Sequence, residues 1–253
     1  NFSQQLGIGQ LRYFNLEKLG DIKPDAIIIC GMGGSGLAAR ILQGIAFDLK
    51  IPIPIVVWSD YNLPKHNFQN PLFIFVSFSG NTAETLSGYK KTPNKFSKAV
   101  IATGGKLQKI AHQDKLPLAI FESGTLQPRQ STGLSFYGLL GLLKNVFPEL
   151  KLINLNKSFN ADKNRGLGKQ LASELAKKII MVYTSSENHY LAYNWKDRLN
   201  ETGKTLCFFN IVPEMCHNEI VSFESKPNNV INIFLKDPKD HPENKRRYGF
   251  VAK

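Results

Sequence analysis

The fold is decided by the stretch Pro71-Leu72-Phe73-Ile74-Phe75-Val76-Ser77-Phe78-Ser79-Gly80-Asn81-Thr82. Its first six residues are apolar and include aromatic and β-branched side chains, which predicts a buried parallel strand. The following residues, 82–86, predict the first turn of a helix with Asn81 or Thr82 as its N-cap. Serine hydroxyls and a glycine therefore lie where a strand passes into a helix N-terminus. Such a loop either caps the helix or holds an anion such as phosphate, and the loop alone leaves both interpretations open.

Apolar strands alternate with helices on both sides of this stretch. Strands are predicted over residues 26–30, 53–58, 71–76, 98–102, 116–121, 179–183, 205–210 and 230–235. Helices are predicted over residues 1–19, from 37 onward, from 82 onward, and over 131–147, 167–178 and 187–198. This spacing predicts an α/β fold in which helices cover both faces of a parallel sheet.

The pattern is interrupted once and then restarts. Residues 151–163 are polar and rich in asparagine, which predicts a linker. We therefore expect two domains of the same kind, residues 1–150 and residues 151–253, with the second shorter than the first. A length of 253 residues with an apolar share of 42% is enough to build a core in each.

Charge and cysteine content narrow the class of partner. The net charge of +12 suits an anionic partner, but the basic residues are dispersed and match no nucleic-acid-binding motif. No apolar run reaches the length of a membrane span, and no secretory signal opens the sequence. The three cysteines lack the spacing of a metal site, so we expect reduced thiols in a cytoplasmic protein without a metal.

A second glycine-rich loop, Gly31-Met32-Gly33-Gly34-Ser35-Gly36, also lies between a predicted strand and a predicted helix. It fits the GxGxxG pattern of dinucleotide-binding loops, and Asp60 after the next strand could bind a ribose. The glycines could equally serve close backbone packing alone. Two glycine-and-serine loops at strand ends favour a third interpretation, in which both converge on one small ligand.

These loops and several other segments resemble one family. The loop 77–86 resembles the phosphosugar-binding loop of sugar isomerase (SIS) domains, and the ordered set is similar to the bifunctional phosphoglucose/phosphomannose isomerase family. The segments that carry the resemblance are Gly31-Met32-Gly33-Gly34-Ser35-Gly36, Ser59-Asp60-Tyr61-Asn62-Leu63-Pro64, Ser77-Phe78-Ser79-Gly80-Asn81-Thr82, Pro128-Arg129 with Gly133, Trp195-Lys196 with Leu199-Asn200-Glu201, and Pro213-Glu214-Met215-Cys216-His217-Asn218-Glu219-Ile220. The resemblance runs from about Ala26 to Arg247, and the segment ending in His217-Asn218-Glu219 is its most specific part.

The resemblance implies two flavodoxin-like SIS domains, each a parallel sheet flanked by helices, in a homodimer. It also implies reversible isomerisation of glucose 6-phosphate and mannose 6-phosphate to fructose 6-phosphate. That reaction passes through ring opening and a cis-enediol(ate), and needs no metal or organic cofactor. The implied substrate-binding residues are Ser77, Ser79 and Thr82 for the phosphate, and Gly33, Gly34 and Ser35 beside the sugar.

Three further residues match the family's catalytic positions. Glu201 matches the base that moves a proton between C1 and C2, a task that suits a partly buried carboxylate. His217 matches the group that opens the ring, which the family supplies across the dimer interface, and imidazole titrates in a suitable range. Arg129 matches the residue that stabilises the negative enediolate oxygen. Periodicity alone would make Glu201 a surface acid and Arg129 a surface arginine.

The sequence departs from the family in two places. The family continues beyond Lys245-Arg246-Arg247 into a helical segment with a lysine that assists ring opening, and this sequence has no match for that lysine. Either the chain is incomplete, as its start at Asn1 rather than methionine also indicates, or ring opening is weakened. Cys216 stands where a polar residue such as asparagine is expected.

Three alternatives remain for the function. A non-catalytic phosphosugar-binding SIS module would need neither Glu201, nor His217, nor Arg129. An NAD(P)-dependent oxidoreductase would be built on the GxGxxG loop. An isomerase domain of the amidotransferase type would require a glutamine-hydrolysing partner domain, which this sequence does not contain.

Overall fold

The structure is a computed structural model, and it describes residues 10–151 and 161–251. The described residues form two compact units, which divide between residues 159 and 160. Each unit has its own sheet and its own apolar core.

Within residues 10–151, the first unit has a sheet of six strands. The strands are β1 (Arg12–Phe14), β2 (Ile27–Cys30), β3 (Ile55–Trp58), β4 (Leu72–Ser77), β5 (Lys98–Ala102) and β6 (Leu118–Ile120). The helices are α1 (Gly33–Gly44), α2 (Ala83–Lys91), α3 (Gly105–Gln113) and α4 (Thr132–Val146). The sheet order is β1-β6-β5-β4-β2-β3, and all neighbouring pairs are parallel except β1 with β6.

Helices cover both faces of this sheet because its strands are apolar on both faces. Every residue of β4 is buried. Alternate side chains point to opposite faces, so Ile74 and Val76 pack in one core with α1 and α4. Phe73 and Phe75 pack in the other core with α2 and α3. The predicted arrangement of a parallel sheet between two helical layers is therefore confirmed for this unit, apart from the antiparallel β1.

The strand order reverses at one point of the sheet. Strand β2 pairs with β3 on one side and with β4 on the other, so successive connections leave it in opposite directions. The five parallel strands thus have the doubly wound order of flavodoxin-like sheets, in which ligands bind outside the carboxyl ends of the strands at this point of reversal. Both glycine-and-serine loops, 31–36 and 78–82, begin at these two strand ends.

The helix predicted over residues 1–19 is wrong in the part that the structure describes. Residues 1–9 lie outside the described residues, but 12–14 form the strand β1 and 16–19 form a 3₁₀ turn rather than a helix. Tyr13 pairs with Ala119, and its hydroxyl donates to the carbonyl of Tyr137 at 3.2 Å. Edge pairing with a strand more than a hundred residues away therefore overrides the local preference.

The predicted linker also ends earlier than expected. Residues 152–160 lie outside the described residues, but α5 begins at Ala161 and so includes the last three predicted linker residues. A helix can begin with polar residues when apolar residues further along it pack against a core. In α5 those apolar residues are Leu171 and Leu175.

In residues 161–251, the second unit has three parallel strands in the order β8-β7-β9. Its elements are α5 (Ala161–Leu175), β7 (Ile179–Ser185), α6 (His189–Glu201), β8 (Cys207–Val212), β9 (Val230–Phe234) and α7 (Pro242–Val251). Ile180, Val182, Ala192 and Cys207 are buried in one core, and Trp195 packs against it.

The structure also describes the apolarity of the helices and the state of the cysteines. None of the helices in the described part of the chain has the length and apolarity that crossing a bilayer requires. The three cysteines are free thiols. Burial raises the pKa of Cys30 to about 12 and that of Cys207 to about 11, so both thiols are neutral at pH 7.

Substituting Phe75 should show how much of the stability of the first unit lies in β4. Phe75 is wholly buried, and its ring lies edge-on to Tyr89 at a centroid distance of 5.4 Å. We expect Phe75→Ala to lower the free energy of unfolding by about 3–5 kcal/mol in urea titrations. Phe47→Ala is the control, because Phe47 is 92% exposed and its loss should cost less than about 0.5 kcal/mol. Equal losses in the two variants would contradict this assignment of the core.

Candidate functional site

The loop after β4 is held by its own hydroxyl groups. Ser77 is buried, and its hydroxyl shares a 2.8 Å hydrogen bond with that of Thr82. The N–H of Asn81 donates to the Ser79 hydroxyl oxygen at 3.2 Å. Thr82 is the N-cap residue of α2, one of the two predicted, but its side chain makes no capping hydrogen bond. The loop therefore presents hydroxyls beside a helix N-terminus that Thr82 does not cap.

Backbone packing against the loop after β5 fixes the shape of this loop. Gly80 has a φ of 66°, and a Cβ there would lie 1.8 Å from the carbonyl oxygen of Gly104. Gly105 has a φ of 71°, and a Cβ there would lie 2.2 Å from the carbonyl oxygen of Ser79. The N–H of Leu107 donates to the carbonyl of Gly80 at 2.9 Å. Only glycine fits at both positions, so the two backbones are locked together.

Ser35 joins the loop after β2 to the loop after β4. Its hydroxyl oxygen accepts a 3.0 Å hydrogen bond from the backbone N–H of Phe78. A Cβ at Gly31 would lie 3.1 Å from the carbonyl oxygen of Val76, so the two strand ends also approach closely. The two glycine-and-serine loops predicted to converge do lie together.

The same loop also contacts the turn that carries Arg129. A Cβ at Gly34 would lie 2.8 Å from the carbonyl oxygen of Pro128 and 2.9 Å from the backbone N of Arg129. The turn Pro128–Gln130 is a 3₁₀ turn, and the Gln130 side chain accepts the N–H of Gln127 at 2.8 Å. The structure therefore brings half-buried Arg129 together with Gly34 and Ser35. The glycine at position 34 indicated in the sequence that another backbone would approach closely. Nothing in the sequence indicated that this backbone would be the Arg129 turn.

The glycine pattern is explained by packing rather than by a dinucleotide. Gly34 makes room for the Arg129 turn, and a Cβ at Gly36 would lie 2.6 Å from the carbonyl oxygen of Gly31. Asp60, the candidate ribose ligand, uses its carboxylate to accept the N–H of Tyr61 at 2.7 Å. These contacts favour the interpretation in which the glycines serve close backbone approach.

Glu201 lies in the second unit, as the last residue of α6, and is half-buried. The preceding residue fixes this helix end to β8. Asn200 accepts the N–H of Cys207 at 2.8 Å and donates its own amide to the Cys207 carbonyl at 3.3 Å. Sequence reasoning gave Asn200 no role of its own. Its paired contact with β8 shows that it positions the helix end that carries Glu201.

His217 also lies in the second unit, at the end of a 3₁₀ turn, and is exposed. The next residue, Asn218, accepts the N–H of Glu219 and donates to the Glu214 carboxylate at 3.0 Å. Glu219 in turn accepts a 2.8 Å hydrogen bond from the Asn210 side chain on β8. Burial and then the charge of Glu219 raise the pKa of Tyr183. These contacts hold the turn, so the backbone that carries His217 is fixed on both sides.

Metal ligands are not grouped in the described ranges. Among residues 10–151 and 161–251, no cluster of three or more histidine, cysteine, aspartate or glutamate side chains is arranged to hold a metal ion. Cys216 contacts the sulfur of Met215 at 3.4 Å instead.

Comparison with known proteins identifies relatives over most of the chain. The family model described as "Bacterial phospho-glucose isomerase C-terminal SIS domain" matches residues 164–253. A bifunctional phosphoglucose/phosphomannose isomerase of Caldicellulosiruptor bescii is 35% identical over 239 residues, which cover 87% of this chain and 70% of that protein. A protein of the same name from Aquifex aeolicus is 31% identical over 253 residues, which cover 95% of this chain and 78% of that protein.

Solved structures share the fold at much lower identity. Tagatose-6-phosphate ketose/aldose isomerase from Escherichia coli matches with a TM-score of 0.63 and 17% identity, over 94% of this chain and 68% of that one. The C-terminal domain of glucosamine-fructose-6-phosphate aminotransferase from Francisella tularensis matches with a TM-score of 0.64 and 14% identity, over 94% and 70%. The chain therefore has the α/β fold of SIS-type phosphosugar isomerases.

Alanine substitutions at two glycines with positive φ should separate backbone strain from steric contact. Gly124 has a φ of 48° with open space around a Cβ, so Gly124→Ala should cost about 1–2 kcal/mol of unfolding free energy. Gly80→Ala adds the collision with Gly104 and should cost about 3 kcal/mol or more. Urea unfolding of both variants measures the difference. A Gly80→Ala variant no less stable than Gly124→Ala would show that the loop is not locked.

Proposed function

The chain belongs to the bifunctional phosphoglucose/phosphomannose isomerase family, and on this premise we propose that it interconverts glucose 6-phosphate and mannose 6-phosphate with fructose 6-phosphate. The observation that carries the proposal is the locked hydroxyl loop, residues 77–82, at the reversal point of the first sheet. This is where a doubly wound sheet binds its ligand. No metal or organic cofactor is part of the proposal.

We assign the phosphate group of the substrate to Ser77, Ser79 and Thr82. The hydroxyls supply hydrogen bonds, and the N-terminus of α2 supplies a partial positive charge and backbone amides. Gly80 supports this role because it lets the loop backbone pack tightly without a side chain in the way. The net charge of +12 would help to attract a dianionic substrate over longer distances.

We assign the sugar to Gly33, Gly34 and Ser35, with Arg129 as the residue that stabilises the enediolate oxygen. The contact between the Gly34 backbone and the Arg129 turn supports this grouping. A guanidinium is a fixed positive charge at any physiological pH, and it stabilises a developing oxyanion most strongly where water is excluded.

We assign proton transfer to Glu201 and ring opening to His217. The Glu201 carboxylate would remove the C2 proton of the open-chain aldose and return it to C1 of the cis-enediolate. A second proton moves from the C2 hydroxyl to the C1 oxygen, so that the carbonyl ends at C2 and the product is the ketose. Mannose 6-phosphate differs at C2, so the same base would have to serve both configurations. His217 would exchange a proton with the ring oxygen, and we expect it to come from the second subunit of a homodimer.

We further infer that both units are SIS domains and that the protein acts in the cytoplasm without nucleic-acid or membrane partners. The family model supports the first inference for residues 164–253. The doubly wound strand order supports it for the first unit.

A product assay tests the function. Fructose 6-phosphate incubated with the protein in EDTA should yield both glucose 6-phosphate and mannose 6-phosphate. Glu201→Gln should lose about 10²–10⁴-fold in kcat, the usual contribution of a general base, and should still bind the sugar. Glu187→Gln removes an exposed charge from the same unit and should leave kcat unchanged.

The outcomes of this assay distinguish the alternatives. Glucose 6-phosphate as the sole product would remove the mannose activity and keep the mechanism. A folded protein that binds the sugar without turnover would be a phosphosugar-binding module. Thermal stabilisation by NAD(P) instead of by phosphosugars would favour the oxidoreductase.

Removing one hydroxyl tests the phosphate assignment. Ser79 is exposed and its oxygen accepts the N–H of Asn81, so its own proton would be free to donate to phosphate. Because a hydrogen bond to a charged group contributes about 1.5–3 kcal/mol, Ser79→Ala should raise KM by about 10- to 100-fold. Ser173→Ala, at an exposed serine of α5, is the control. An unchanged KM in Ser79→Ala would refute the assignment.

A further inference from the structure

A cavity of about 570 Å³ lies in the first unit, at the end of the sheet opposite to the glycine-and-serine loops. It is lined by Lys98, the first residue of β5, and by residues before β6 and near the ends of α2 and α3. The other end of β5 leads to Thr103, whose N–H donates to the carbonyl of Phe78 at 3.1 Å. A strand of this length spans about 15 Å. The cavity is therefore separate from the candidate phosphate loop, and its volume is in the range of small-molecule sites.

The apolar walls of this cavity are fixed by packing. Phe96 lines it, and its ring lies 5.8 Å from that of buried Phe73. Tyr89 also lines it, and its ring is edge-on to buried Phe75 at 5.4 Å. Leu19, from the turn after β1, is only 1% exposed. A ligand would therefore meet a preformed surface and would not have to order these side chains.

Two lysines bring positive charge to the cavity. Lys98 Nζ donates to the side-chain oxygen of Asn94 at 3.1 Å. Lys18 Nζ donates to the backbone carbonyl of Lys115 at 2.6 Å. An ammonium group has three donors, so each lysine has N–H groups left for a ligand. Neither lysine forms a salt bridge with a residue that the structure describes.

Burial also acts on the charge of Lys98. It lowers the pKa of Lys98, and the negative charge of Asp114 opposes this effect only in part. Desolvation penalises an ammonium group, and a neighbouring negative charge stabilises it. An anion in the cavity would therefore stabilise the charged form of Lys98.

Asp114 brings a hydrogen-bond acceptor to the same cavity. Its carboxylate accepts the hydroxyl of Tyr89. Burial, and then this hydrogen bond, raise the pKa of Tyr89, so the phenol stays a neutral donor at pH 7. An ionised carboxylate accepts more than one hydrogen bond. Asp114 can therefore also accept from hydroxyl or amino groups of a ligand.

The sequence around the cavity adds positive charge. Between Glu84 and Asp114 the chain has six lysines and no acidic residue. Four of the six lie in residues 90–98, between the end of α2 and the start of β5, where several lining residues also lie. Glu17 and Asp21, which are exposed near Lys18, offset part of this charge. A concave surface with an excess of positive charge raises the local concentration of anions.

We propose that this cavity binds a nucleotide, as a second ligand distinct from the substrate. The phosphate would pair with Lys18 and Lys98, and hydroxyl or amino groups would donate to Asp114. The planar base would lie on the apolar wall beside Phe96. Inorganic phosphate would use the lysines alone, and a sugar phosphate would leave the apolar wall in contact with water. The proposal does not depend on the isomerase function.

Calorimetric titration with AMP, GMP, CMP and UMP tests the proposal. At least one of them should bind, with an affinity that falls as salt is added. Lys18→Gln and Lys98→Gln should each raise its Kd by about 10- to 100-fold, the usual effect of losing a hydrogen bond to a charged group. Lys109→Gln is the matched control, because Lys109 is an exposed lysine of α3 outside the cavity. Its Kd should equal that of the parent.

Thermal melts check that the variants are folded, and Lys18→Gln keeps the test valid if Lys98→Gln is not, because Lys18 is exposed. Failure of all four nucleotides to bind overturns the proposal. So does binding of inorganic phosphate as tightly as the nucleotide, because the ring would then contribute nothing. Binding that survives Lys18→Gln but is lost in Ser79→Ala would place the nucleotide at loop 77–82 and overturn it too.

Turnover separates this proposal from the proposed function. Lys18→Gln should convert fructose 6-phosphate as fast as the parent while it binds the nucleotide weakly. A parent protein that binds the nucleotide in this cavity but has no isomerase activity would refute the proposed function alone. Stabilisation by NAD(P) that Lys18→Gln abolishes would belong to this cavity and not to the loop 31–36.

Discussion

The parallel pairing of β2 with β4 is the constraint on which the candidate site depends. It sets two strand ends side by side, and both strands continue into a glycine-and-serine loop and then a helix. The N–H of Phe78 donates to the Ser35 hydroxyl across this junction at 3.0 Å. The chain adds β3 on one side of β2 and β4 on the other. Doubly wound folds bind their ligands at such a point of reversal.

Close backbone contacts then fix the shape of the two loops. Gly80 packs on Gly104, and Gly34 packs on the turn of Arg129, each at distances that leave no room for a Cβ. A glycine pattern that resembles a dinucleotide-binding loop is therefore accounted for by contacts within the protein. The same packing places a hydroxyl-rich loop and a guanidinium on fixed supports, and preorganised groups of this kind favour the binding of a phosphorylated, charge-developing substrate.

The second unit combines rigid support with a local cost in stability. Asn200 fastens the end of α6 to the backbone of Cys207, while Asp197 is buried one turn before Glu201 with an unsatisfied oxygen. Proteins tend to break the rules of polar burial at functional sites, where the cost is offset elsewhere in the fold.

The sequence by itself determined the class of fold, all of the parallel strands, the helix over 132–146 and the loop residues, because each depends on periodicity and turn chemistry within a few residues. Family resemblance in the sequence also named the candidate residues. Only the tertiary structure decided that 12–14 form an edge strand, that Gly34 faces Arg129, and that Asp197 is buried. These features depend on partners that are distant in sequence, or on which side of a helix meets the core, and a local pattern does not specify either.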